Sequence, residues 1–297
     1  MVVQAVRRSC LSVPGSSEGM LAKAPGLAAD ELVLDLEDAV APESKDDARS
    51  LVVEALATGA FAGRTVAVRV NAPRTPWCHA DLVALAGAPR PPLSVVVPKV
   101  ESAGDLAFVE RLLDGAERAA GSERPLRVQA LIETAAGLAR IEESAAATTR
   151  LDALILGYAD LAASLGRTPE GARDLDGWRP AQEALLTAAR AHGLQAIDGP
   201  YLGVAVDDEF LAAATRARDA GFDGKWAIHP SQIAALNELY TPTQTEVERA
   251  RAIIAALETA ERDHGRGAVA FEGEMLDEAV RVAALRTLSR AGTTGAR

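Results

Sequence analysis

Aromatic side chains, cysteines and long apolar runs are all scarce in this chain. Phe, Trp and Tyr together make up 4% of its 297 residues, so the hydrophobic 48% is mostly Ala, Leu and Val. Two cysteines, Cys10 and Cys78, stand without a CxxC spacing. That excludes a disulfide scaffold and a thiolate zinc cluster, and it points to a reducing, cytoplasmic setting. No run reaches the ~18 apolar residues of a membrane span. The opening MVVQAVRRSCLSVPG has two arginines but no apolar signal segment, so neither membrane nor export is expected. Positive charge is in deficit too: 31 Lys and Arg against 42 Asp and Glu leave a net charge of −11. A surface of that sign opposes broad binding to nucleic acid or anionic membranes, yet leaves room for one local basic pocket. Nothing matches a P-loop or a GxGxxG turn.

What the chain does have is a rhythm. Eight short apolar runs, at residues 9–14, 32–38, 66–71, 95–99, 128–133, 153–160, 194–198 and 226–229, each end near a residue capable of chemistry. Helix-like stretches separate most of them. Most runs are continuously apolar rather than alternating, as parallel strands buried on both faces are. The pattern predicts an α/β fold, a (β/α)8 TIM barrel, over residues 1–240. A C-terminal helical extension and lid is expected over 241–297. In such barrels the active site lies at the mouth formed by the C-terminal strand ends.

Reading the strand ends in turn gives the candidates. Glu133 closes the fifth run and Asp160 the sixth, so both carboxylates should meet at the mouth. An oxygen-only pair suits Mg2+, which binds through one or two carboxylates plus waters and substrate oxygens. Without a His–Cys cluster, zinc is disfavoured. The competing reading makes each carboxylate a helix cap. Arg69, near the end of the third run, has a fork that matches a substrate carboxylate; an internal ion pair with Glu37 or Asp38 is the other reading, and both can hold. Glu37 and Asp38 close the second run and are expected to orient metal waters or Arg69 from outside the first ring of ligands. Lys99 reads as an ion-paired residue before a Schiff-base lysine, and His229 as a loop histidine before a general base.

Several of these pieces stand in a fixed order: RSCLSVPG at 8–15, LDLEDAV at 34–40 with Lys45 and Arg49, VRVN at 68–71, VPK at 97–99, LIET at 131–134 with Gly137, LGYADL at 156–161, GFDGKWAIHPSQ at 221–232, Thr241-Pro242 and GEMLD at 273–277. The ordered set covers almost the whole chain and resembles the citrate lyase β-subunit family within the HpcH/HpaI aldolase superfamily. It is most similar to stand-alone citramalyl-CoA and malyl-CoA lyases. The resemblance implies a Mg2+-dependent carbon–carbon lyase that splits a 3-hydroxyacyl-CoA thioester into an acyl-CoA and an α-keto acid. It implies that Glu133 and Asp160 hold Mg2+, that Arg69 binds substrate, and that Asp277 is the acid/base of a C-terminal lid, commonly shared across subunits. Lys23 and the backbone at Ala227 and Ile228 match CoA-contacting positions, and a homotrimer or hexamer is expected. Metal-dependent aldolase action on free 4-hydroxy-2-oxo acids, a citrate lyase β subunit acting on a carrier-protein thioester, and a CoA-thioester-binding assembly subunit are the alternatives. Two departures are visible: Glu274 stands where the tail motif usually has Lys, and Ser12 where the first strand often has an aromatic.

Overall fold

The computed structural model describes residues 5–264 and 267–294. Eight parallel strands close into a barrel in sequential order: β1 Ser9–Pro14, β2 Glu31–Asp35, β3 Thr65–Arg69, β4 Ser94–Val97, β5 Arg127–Ile132, β6 Leu151–Leu156, β7 Gln195–Asp198 and β8 Gly224–Ala227, with β8 pairing back onto β1. Helices follow the strands: α1 Glu18–Lys23, α2 Lys45–Ala57, α3 Cys78–Ala86, α4 Ala103–Ala120, the short pair α5 Ala135–Ala139 and α6 Ile141–Ala145, α7 Tyr158–Ser164, α8 Pro169–Arg173, α9 Arg179–Ala191, α10 Asp208–Ala220 and α11 Gln232–Leu239.

Side chains alternate between the barrel interior and the helix layer because a strand has a period of two. One apolar cluster draws on every strand: Cys10, Val33, Ala67, Val96, Leu131, Ala153, Ile155, Ile197 and Trp226. Only the interior can collect such a set, so it marks the middle layer. Two residues back along the strands come Glu31, Ser94, Gln129 and Gln195, a polar floor at the N-terminal end. Two residues forward come Asp35, Arg69 and Glu133, a polar ceiling at the mouth. Three stacked layers of this kind fill a barrel with side chains and leave it without a pore.

The caps show why the helices start where they do. Ser102 and Asp105 form a reciprocal capping box at the head of α4, and Gly121 ends that helix in the left-handed region, at φ 68°. Asp207 accepts from the Phe210 amide to start α10.

Four segments differ from the sequence expectation. The sixth strand, expected through residue 160, ends at Leu156, and Tyr158 already begins α7. The helix expected over 137–146 is broken at Arg140, whose backbone leaves the helical region (φ −119°, ψ 24°). Residues 169–173 and 176–178, for which the sequence suggested no element, make a helix and a 3-10 turn. Cys78, expected in a loop, opens α3 and is buried.

The chain divides into two compact units, 1–237 and 238–297. The second contains α12 Gln244–His264, an antiparallel hairpin of β9 Val269–Phe271 and β10 Glu274–Leu276, and α13 Glu278–Thr294. Leu257, Leu276, Ala250, Ile253 and Ala284 form its own core. A loop was expected where the hairpin lies. Its turn is Glu272-Gly273, both at positive φ (48° and 85°), the backbone of a two-residue hairpin that usually announces itself as Asn-Gly or Asp-Gly.

Candidate active site

The ceiling layer is built from register. Asp35 and Arg69 are paired positions on β2 and β3, so their side chains leave the sheet on the same face. Arg69 Nε donates to Asp35 Oδ1 at 2.8 Å, and its Nη1 lies 3.1 Å from Glu37 Oε2. The guanidinium also sits 5.8 Å from the Trp226 ring centre. Burial disfavours the charge, but Asp35 and Glu37 outweigh it and hold Arg69 firmly protonated. The internal ion pair expected for Arg69 is therefore present with Glu37. Its stronger partner, Asp35, is one the sequence reading missed, although a period of two from Val33 places it on the interior face.

Glu133 follows β5 and is buried. It does not cap the next helix: the Thr134 hydroxyl performs that task by accepting from the Gly137 amide at 3.0 Å. Glu133 Oε1 instead accepts the Lys99 amide at 2.9 Å. A Cβ on Gly157, at the end of β6, would lie 2.6 Å from the Glu133 Cβ and 2.7 Å from its Oε2, so the glycine opens the room this carboxylate occupies. Burial, then the neighbouring charges of Glu37 and Asp160, push the Glu133 carboxyl up to about 8 against partial relief from Lys99 and Arg69.

Asp160 reaches the same cluster from a helix and not from a strand end. It occupies the first turn of α7, where a carboxylate also suits the helix dipole. Its Oδ1 is 3.8 Å from Lys99 Nζ. The turn is anchored from below. Tyr158 donates from its hydroxyl to Asp198 Oδ1, the buried Lys225 ammonium donates to Asp198 Oδ2 and, at 2.6 Å, to the Gly199 carbonyl, and Gln182 donates to the Tyr158 hydroxyl at 2.6 Å. Gly199 leaves space for the Tyr158 ring, whose nearest carbon would be 2.7 Å from a Cβ there. Sequence reasoning missed this group; an Asp closing the β7 run and a Lys within the β8 run were its only trace.

Lys99 ties the cluster together. Its ammonium donates to Glu37 Oε1 and lies 3.4 Å from Asp38 Oδ2. Burial opposes its charge, but the bond to Glu37 and the surrounding carboxylates raise its pKa above the usual lysine range. Glu37 is buried and raised by that burial, while the exposed Asp38 is net lowered, Lys99 and Arg69 together outweighing its partial burial. Lys45 supports the loop by donating to the carbonyls of Leu36 and Glu37 at 2.9 and 2.7 Å.

The other expected residues make contacts of their own. Ala227 ends β8 in the core, and the Ile228 amide donates to Gln232 Oε1 at 2.9 Å, so that N–H is already engaged. Lys23 is exposed at the end of α1. Asp277 belongs to the C-terminal unit. It is exposed and N-caps α13 by accepting from the amides of Ala279 and Val280 at 3.0 and 3.2 Å. Glu274, the departure in the tail motif, pairs with Arg249 at 2.8 Å, so its charge is answered within the unit. His229 is exposed and shares a hydrogen bond with Ser231.

Among the described residues no three His, Cys, Asp or Glu side chains gather closely enough to enclose a metal by themselves. The donor set nevertheless fits a magnesium ion. Glu133 and Asp160 are hard oxygen donors, they repel one another's ionised form, and Mg2+ needs only one or two protein carboxylates.

The chain is similar to proteins already known. The family model "HpcH/HpaI aldolase/citrate lyase" matches residues 8–230. An L-malyl-CoA/β-methylmalyl-CoA lyase of Cereibacter sphaeroides is 39% identical over 280 residues, 89% of this chain and 88% of that protein. A (3S)-malyl-CoA thioesterase of the same organism is 39% identical over 291 residues, 96% of this chain and 94% of that protein. The structure of CitE from Mycobacterium tuberculosis in complex with magnesium, acetoacetate and coenzyme A superposes with a TM-score of 0.78 at 34% identity, covering 97% of this chain and 99% of that one. The family model and these relatives show that this chain belongs to the HpcH/HpaI aldolase/citrate lyase family.

Proposed function

We propose that this protein is a Mg2+-dependent carbon–carbon lyase that cleaves a 3-hydroxyacyl-CoA of the malyl, citramalyl or citryl type into an acyl-CoA and an α-keto acid. The observation that carries the reading is the meeting of Glu133 and Asp160 around Lys99, beside an Arg69 already locked by Asp35 and Glu37. Glu133 and Asp160 would hold the ion. When bound, Mg2+ polarises the oxygens of the keto-acid half and eases loss of the hydroxyl proton.

The chain's own residues then account for the rest. Arg69 is fixed before substrate arrives, so it offers its charge to a carboxylate with little reorganisation. Trp226 and the rest of the apolar middle layer keep water away from that charge. As the C–C bond breaks, the hydroxyl proton passes to solvent water, its O–H pair forms the keto C=O, and the C–C pair passes to the thioester α-carbon. That carbon takes a proton, for which Asp277 is the proposed donor, and Asp277 serves as base in the condensation direction. Lys23 and the chain at Ala227 and Ile228 are the proposed CoA contacts. The protein is further proposed to work in the cytoplasm as a homotrimer or hexamer, with Asp277 presented to a neighbouring subunit. Two buried free thiols, and no described helix long and apolar enough to cross a membrane, support the first part.

The thioesterase among the relatives favours one second reading, hydrolysis of the same thioesters. Product analysis separates the two. Malyl-, citramalyl- and citryl-CoA are incubated with and without Mg2+, and acyl-CoA plus keto acid are resolved from free CoA plus hydroxy diacid. Mg2+-dependent keto-acid release supports the lyase; free CoA without keto acid overturns it. Mixing inactive Asp277→Ala and Arg69→Ala proteins tests the shared site, which predicts partial recovery in mixed oligomers and is refuted by none.

A further inference from the structure

Lys99 holds an unusual backbone conformation. Its φ is 51°, and Glu272 in the tail hairpin is the one other described non-glycine residue at positive φ. The left-handed region sets Cβ against the chain's own carbonyl, a conflict glycine escapes. Glycine would therefore serve this turn better if only the turn mattered. The conformation itself is imposed by packing: a Cβ on Gly137 would lie 2.2 Å from the Val100 carbonyl oxygen, so α5 presses directly on the segment that follows Lys99. One product of the conformation is the Lys99 amide bond to Glu133, which any residue type could make. What lysine adds is the ammonium, set among Glu37, Asp38 and Asp160.

Charge shows what that ammonium does. The cluster contains the carboxylates of Asp35, Glu37, Asp38, Glu133 and Asp160, against the cations Arg69, Lys99 and Lys45. With all five carboxylates ionised, as a bound cation would require, two negative charges remain, which one divalent ion neutralises. Lys99 alone among the three cations touches Asp160, and its side chain is one-third exposed where Arg69 is largely enclosed.

We propose that Lys99 is a positioning residue whose ammonium stands in for the divalent ion, keeping Asp160, Glu37 and Asp38 converged in the metal-free protein and competing with the metal for Asp160. This rests on the metal site proposed above. Competition keeps resting affinity low, so the ion exchanges freely and is held firmly only when substrate oxygens complete its shell.

The sign of the effect on metal affinity tests the idea, because a merely structural role gives the opposite sign. Mg2+ binding is measured by calorimetry, and Mn2+ binding by electron paramagnetic resonance, without substrate, in wild type, Lys99→Met, Lys99→Gly and Lys99→Arg. Binding that Glu133→Gln abolishes first establishes the site. Lys99→Met and Lys99→Gly are then expected to bind roughly tenfold tighter or more, from the Coulomb repulsion removed at this separation. Lys99→Arg, which retains the charge, stays within about threefold of wild type on the same grounds. Lys99→Gly relieves the backbone and guards against misfolding of the Met variant. Unchanged or weaker affinity in both neutral variants overturns the proposal while leaving the metal site standing. Wild type without measurable divalent binding overturns the site and this inference with it.

Discussion

The floor and the ceiling of this barrel are both polar layers on the same strands, two residues either side of one apolar cluster. On the floor, Arg7 donates from Nε to Glu31 at 2.9 Å, from Nη2 to Asp152 at 3.1 Å, and from Nη1 to Gln195. Gln129 spans Glu31 and Ser94. Arg7, Glu31, Ser94 and Gln129 are all buried, and Arg127, 3.9 Å from Asp152, is the second cation against the two carboxylates. On the ceiling, similar residue types leave an excess of carboxylate, and the outer members Lys99, Asp160 and Asp38 reach solvent, Asp38 through 55% of its side chain. Buried charge alone thus does not mark a site. A buried network whose charges cancel builds the fold; one left negative and open at one side waits for a ligand.

Opposite responses to substitution would make the contrast sharpest. Glu133→Gln is expected to lower turnover by about a thousandfold or more and to abolish Mg2+ binding, as loss of a metal ligand removes several kcal/mol of transition-state stabilisation. Its melting temperature should match or exceed that of the metal-free wild type. Arg7→Met is expected to cost about 3–5 kcal/mol of stability by stranding Glu31, with kcat per folded molecule unchanged. Denaturant melts and turnover, measured on both proteins, check the pair. A stability loss in Glu133→Gln to rival that of Arg7→Met would erase the distinction.

The two layers were not equally legible in the sequence. The barrel was, because eight apolar runs with helices between them admit few topologies. Glu133 and Arg69 were, because each sits at or just beyond a strand end whose period-two face is plain. Asp160 was found for a partly mistaken reason: the apolar run continues past Leu156 into a helix, and periodicity cannot show where a buried strand yields to a buried helical turn. Asp35 was passed over because three acids in LDLED compete for one face and only register selects among them. The Arg7 floor, the Tyr158–Asp198–Lys225 anchor and the bent Lys99 backbone depend on contacts between strands far apart in the chain. The lid role of Asp277 was suggested by resemblance alone, and the N-cap it forms on α13 is a local fact that leaves that role to experiment.

Acidity should separate the layers next. The Glu133 carboxyl is raised from its ordinary 4.5 to about 8, so the metal-free fold favours its protonated form. The stability this lends is full below pH 4.5 and is lost as pH rises through about 8, an effect on the order of 5 kcal/mol. Wild type minus Glu133→Gln, measured by denaturant melts across that window, isolates it. The difference should run against wild type as pH rises and shrink when saturating Mg2+ is present. A flat difference would mean the carboxyl ionises without penalty. Arg69→Lys should cost roughly a hundredfold in kcat/KM, because an ammonium cannot keep Asp35 and Glu37 while offering a planar fork to substrate. A loss under fivefold would remove Arg69 from substrate binding.

The mildest test bears on how the open layer borrows rigidity from a closed one. Tyr158 begins the helix that carries Asp160, and its hydroxyl is fixed by Asp198 and Gln182, with Lys225 of β8 completing a buried pair with Asp198 at the end of β7. Asp198 and Lys225 are fully enclosed, so this group resembles the floor although it lies near the mouth. Tyr158→Phe removes one hydroxyl and keeps the ring against Trp178, 5.0 Å away between centres. Supports of this kind behind a metal ligand are worth about tenfold in affinity. Mg2+ affinity should therefore fall by roughly that factor while the barrel melts within a few degrees of wild type. If affinity holds and stability alone drops, the group is only a brace between strands, and Asp160 owes its aim to the first turn of α7 alone.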